Sequence, residues 1–113
     1  MSYRLTLSTL PDLETGEKIA RELVGRNLAA CVNLIPGIRS IFRWKGAVEA
    51  GDEVLAIIKT TAESYPALES ALAELHPYEV PEIIWFPIGG GAAPYLDWIG
   101  REVAGRSGDA PEA

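Results

Sequence analysis

Apolar residues recur at helical spacing through Leu13, Ile19, Ala20, Leu23, Val24 and Leu28, while Glu14, Glu17, Lys18, Arg21 and Arg26 fill the opposite face. This spacing predicts an amphipathic helix over 13–28. Ahead of it, YRLTLST at 3–9 reads as a short strand, and Pro11 with Asp12 punctuates it and starts the helix. Residues 29–35 are apolar and contain Cys31, Pro36–Gly37 interrupt them, and 38–44 resume as strand. EVLAIIKTT at 53–61 is the returning arm. The turn between the arms falls at Lys45–Gly46 or at Ala50–Gly51–Asp52. The second is expected, because it leaves arms of similar length.

Ser64, with Pro66 in the first turn, starts a second helix whose buried stripe is Ala67, Leu68, Ala71, Leu72 and Leu75. Pro77 ends it, since the residue before a proline is pushed out of the helical region. After Pro81, residues 83–88 (IIWFPI) form the last strand, and Gly89–Gly91 and Pro94 lead into a short third helix, YLDWIGREV.

The order is β-α-β-β-α-β with an added C-terminal helix, which predicts an α+β, ferredoxin-like sandwich. Residues 1–104 form one domain, and the small, polar residues 105–113 are expected to be a flexible tail. A strand with one wet face alternates between polar and apolar, yet VLAII and IIWF are apolar on both faces. The two main helices cover one face only and the third is too short for the other. The pattern therefore predicts a homo-oligomer.

Composition narrows the partners. With 113 residues and a net charge of -6, the chain carries ten scattered Lys and Arg, against a nucleic-acid partner. One cysteine allows no disulfide within the chain. No apolar run reaches the roughly 18 residues of a membrane span. MSYRLTLSTLPD lacks an apolar leader core and a cleavage site, so the expectation is a cytoplasmic protein with no membrane partner.

The candidate chemistry gathers in LHPYEVPE at 75–82, around the only histidine. His76 has two readings. In the last turn of a helix it caps free carbonyls. In a loop stiffened by Pro77 and Pro81 it is a ligand beside Tyr78, Glu79 and Glu82. One His and one Cys are too few soft ligands for a closed zinc site in one subunit, so a metal needs carboxylates or several copies. The expected ligands are His76, Glu79 and Glu82, with modest affinity for Cu2+ or Zn2+. Cys31 reads as a small buried hydrophobe, Lys59 as a snorkelling lysine, and Trp44, Trp85 and Trp98 as core or interface anchors. Gly89–Gly91 has neither the P-loop nor the dinucleotide spacing.

LAACVN at 28–33, WKGAVE at 44–49, KTT at 59–61, HPYEVPE at 76–82 and YLDW at 95–98 follow one another in an order that resembles the CutA family of divalent-cation tolerance proteins. The resemblance runs from the first strand to about residue 103. It implies a ferredoxin-like subunit in a very stable homotrimer, akin to the PII signalling proteins, which bind small effectors between subunits. The comparable inter-subunit cleft would take Cys31, Trp44, Lys59, His76, Tyr78 and Glu82. The family is linked to copper and other divalent cations, and animal relatives to anchoring of acetylcholinesterase. No enzymatic reaction is established for it. Some bacterial relatives carry a cysteine where Ser8 stands and a second histidine where Leu75 stands. Both differences remove soft ligands and argue against strong copper binding, while leaving the cleft. The resemblance leaves open a second role: sensing of a small anion with Lys59 as charge partner, or a silent scaffold.

Overall fold

The computed structural model describes residues 1–104. The expected tail, 105–113, lies outside the described residues. In chain order the elements are β1 (Tyr3–Leu10), α1 (Leu13–Gly25), β2 (Cys31–Trp44), β3 (Ala47–Thr61), α2 (Tyr65–Leu75), β4 (Ile84–Ile88) and α3 (Ala93–Ala104). The strands form one antiparallel sheet in the order β2-β3-β1-β4, which is the ferredoxin-like arrangement.

Local chemistry sets the helix ends. Asp12 caps α1: its Oδ1 accepts the Thr15 amide at 2.7 Å, which satisfies one orphan donor of the first turn. That bond also holds the Asp12 carboxyl below its ordinary range. The helix stops three residues before its apolar pattern does. Asn27 takes φ 59, its amide donates to the Val24 carbonyl, and the Leu28 amide donates to the Leu23 carbonyl, each at 3.0 Å. This pair of bonds closes a helix around a left-handed residue. Leu28 still buries its side chain, but from the loop.

The hairpin turn differs from the expectation. It sits at Lys45–Gly46, with φ 50 and 85, the two successive positive φ values of the turn that matches strand twist. The arms are therefore longer than expected. Pro36–Gly37 do not end the strand either. They form a register shift between Ile35 and Ile38, with Gly37 at φ 83, so the bulge bends one continuous strand.

Alternation along β1 and β3 sorts the two faces. Thr6, Ser8 and Leu10 on β1 and Val54, Ala56, Ile58 and Thr60 on β3 are buried. With Leu23, Leu68, Leu72 and Tyr65 from the helices they make the inner layer, whose apolar members form the main core. The opposite face carries Leu5, Leu7, Leu55, Ile57, Ile84 and Phe86 in register, and α3 covers only one end of it, through Ile99 and Val103 with Tyr3. Two hydroxyls of the inner layer, Thr6 Oγ1 and Ser8 Oγ, are buried without a hydrogen-bond partner. An unpaired buried hydroxyl costs about 1–3 kcal/mol. Thr6→Val, which keeps the shape and removes the hydroxyl, is expected to raise the unfolding free energy by about 1 kcal/mol. Urea denaturation of the two proteins side by side checks this.

Candidate functional site

β1 pairs with β3 only as far as Leu10 and Val54. Beyond that point β2 and β3 continue alone as a two-stranded arm. The loop after α2 folds back toward this arm, and the space between them is a cleft of about 910 Å³. Phe42, Trp44 and Tyr78 supply its aromatic wall, and Glu49, Asp52, Glu53, Glu79 and Glu82 its carboxylates. Among the described residues, no Lys, Arg or His lines it.

His76 stands behind the cleft and not in it. The sequence placed it in the last helical turn, bonding free helix carbonyls. It is instead the C-cap, in extended conformation at φ -73 and ψ 135, and its ring turns to the sheet. Nε2 lies 2.9 Å from the Thr9 carbonyl of β1, and Nδ1 accepts the Tyr78 amide at 3.2 Å. An amide only donates and a carbonyl only accepts, so the ring is neutral with its proton on Nε2. Burial lowers the His76 pKa below its ordinary 6.5, against the opposing pull of the Thr9 bond and of the Glu53 charge. At 7% exposure with both nitrogens engaged, the ring offers a metal no lone pair unless a bond is given up. For His76 to serve as the expected ligand, the Tyr78 amide would have to leave Nδ1.

Tyr78 closes the loop on the arm: its phenol donates to Glu53 Oε2 at 2.7 Å. Burial, then that bond and the Glu53 charge, push the phenol pKa well above its ordinary value. Glu53 is thus engaged, and Asp52 pairs with Arg39 at 3.1 Å. Glu79 and Glu82 are exposed on the loop. Among the described residues, no group of three or more His, Cys, Asp and Glu converges as a metal cage would require.

The six residues expected to share one cleft fall into two sets within a single chain. Trp44, Tyr78 and Glu82 line the cleft, with His76 supporting them. Cys31 and Lys59 are register partners at the other end of the sheet. Lys59 Nζ donates to Asn33 Oδ1 at 2.6 Å and lies 5.9 Å from the Tyr95 ring centre. Along β2, the distance from Cys31 to Trp44 is about 40 Å at roughly 3.3 Å per residue. Sequence reasoning missed Thr9, Phe42 and Glu53. Glu53 lies 25 residues from Tyr78 and Thr9 lies 67 from His76, and no local spacing announces such pairs.

Comparison with known proteins bears on the whole chain. The family model described as CutA1 divalent ion tolerance protein matches residues 4–102. A divalent-cation tolerance protein CutA of Thermus thermophilus is 46% identical over 101 residues, which is 89% of this chain and 97% of that protein. Human protein CutA is 48% identical over 91 residues, but this chain spans only 51% of its length. The mouse protein is likewise spanned over 51% of its length. The crystal structure of CutA from Xylella fastidiosa superposes with a TM-score of 0.89 at 42% identity, covering 91% of this chain and 99% of that one. The Archaeoglobus fulgidus structure, named as a periplasmic divalent cation tolerance protein, gives 0.87 at 39% identity. With a family model matching residues 4–102 and relatives alike in both sequence and fold, this chain belongs to the CutA1 divalent ion tolerance family.

Proposed function

We propose that the protein works as a homotrimer in divalent-cation tolerance, drawing Cu2+ or Zn2+ weakly into the cleft between arm and loop, without catalysing a reaction. The observation that carries the cation reading is the lining of the cleft: five carboxylates and, among the described residues, no basic side chain. Glu53 and Asp52 already have partners, which leaves Glu49, Glu79 and Glu82 to meet a cation. Carboxylate oxygens on flexible, exposed side chains hold divalent ions loosely, in keeping with Ser8 and Leu75 in place of soft ligands. The same lining repels a small anion, and Lys59, its expected charge partner, sits at the far end of the sheet.

Trimerisation is supported by surfaces that water does not favour. Ile84, Trp85 and Phe86 on the edge strand are exposed, as are Ile41 and Val48 on the arm, at 72% and 67%. A two-stranded ribbon alone in water is marginally stable, and further copies of the chain would cover both features.

Calorimetric titration of the chain with Cu2+ and Zn2+, beside the triple variant Glu49→Gln/Glu79→Gln/Glu82→Gln, tests the cation reading. Weak saturable binding is expected, weakened about tenfold or more in the variant, or about 1.4 kcal/mol. Equal binding by both proteins would remove the cleft from the account.

A further inference from the structure

The HPYEVPE loop is held by a histidine with two bonds, one of which, at Nδ1, depends on the ring's being neutral. Nδ1 accepts from the Tyr78 amide, which has only a proton to offer, and Nε2–H donates to Thr9 on β1. We propose that His76 is a proton-operated latch: neutral, it holds the Tyr78 amide on Nδ1 and keeps Glu79 and Glu82 on the cleft wall; protonated at Nδ1, it stays bonded to Thr9 but sets two donors face to face at Tyr78 and releases the loop from that point on. This goes beyond the cation reading, because the latch moves with protons alone and stands whether or not a metal binds.

The surroundings make the release local. The second tether, Tyr78 Oη to Glu53, does not involve the ring, so the loop pivots about the phenol and is not lost. The ring and the phenol also touch in a tilted arrangement, at 51°, with centres 4.7 Å apart. Several groups face the ring from the packed elements. β3 contributes the Glu53 carboxylate, which favours the imidazolium. β1 contributes only the Thr9 carbonyl. The loop contributes Tyr78, and the start of α1 brings Asp12, whose charge acts on the Tyr78 phenol. Burial opposes protonation and outweighs these. The unfolded chain therefore takes up its proton first as pH falls through about 6.5, and the folded chain follows at lower pH. Between the two, the unfolded state binds more protons, so stability declines on acidification.

The test is a pH titration of the metal-free, 15N-labelled full chain from pH 8 to 4.5, following the His76 ring nitrogens and the backbone amides of 78–82. At pH 8 the expected pattern is a bare Nδ1 and a protonated Nε2. On acidification the Tyr78, Glu79 and Val80 amides should shift together, with the midpoint of the ring and below 6.5. In His76→Asn, whose side-chain oxygen replaces Nδ1 as acceptor but does not titrate there, the same amides should stay still. Loop amides that ignore the ring, or that move only with carboxylate titration near about pH 4, would overturn the latch. So would a ring protonated on Nδ1 at pH 8. The wild-type titration decides the matter alone if His76→Asn fails to fold.

Discussion

Ile57→Glu is expected to take the assembly apart. Ile57 lies mid-strand on the face that α1 and α2 leave uncovered, in one row with Leu7 and Ile84 and on the same face as Leu5, Leu55 and Phe86. If copies of the chain cover that face, the substitution takes a carboxylate out of water in each copy, and Lys59, two residues along the strand, already donates to Asn33. A lone buried charge costs several kcal/mol, and the symmetry of the assembly repeats it in every subunit. Light scattering should then give a mass near that of one chain, 12.2 kDa, where the unsubstituted protein, as the proposed trimer, is expected to give three times as much. Lys18→Glu, on the exposed face of α1, should leave the trimer intact. An unaltered mass for Ile57→Glu would mean that this face is not the interface. A wild-type mass of one chain would refute the trimer itself.

Leu68→Ala should cost about 2–5 kcal/mol of stability, the range for emptying a well-packed leucine site. Leu68 is fully buried on α2 and belongs to the cluster that also contains Leu10, Leu23, Ile58 and Leu72. Both walls of that cavity are regular elements, α2 on one side and the sheet on the other, so the site collapses poorly around the missing atoms. Glu74→Ala, exposed on the same helix, should change stability by no more than about 0.5 kcal/mol. Urea unfolding at one fixed protomer concentration gives the comparison, since assembly makes apparent stability depend on concentration. A loss under about 1 kcal/mol for Leu68→Ala would mean that this layer is more loosely packed than its burial indicates.

The sequence by itself determined the elements, their order and the fold class. Leu23, Leu68 and Leu72 fall on the inner face at the helical spacing that announced them, because a helix must bury its apolar stripe to form in water at all. The doubly apolar VLAII and IIWF segments were legible for the same reason, and the sheet does leave Leu55, Ile57, Ile84 and Phe86 off the helix-covered face. Trp44, Tyr78 and Glu82, which the resemblance named for a cleft between subunits, line the cleft between arm and loop within one chain. Tertiary structure alone decided the rest. Lys45–Gly46 won the turn because Pro36–Gly37 could be absorbed as a bulge, which no count of arm lengths reveals. His76 donates to Thr9, 67 residues away, while the Tyr78 amide engages its one lone pair, on Nδ1. Periodicity records only neighbours within a turn or a strand, whereas a histidine's bonding partners are fixed by which elements the core brings together.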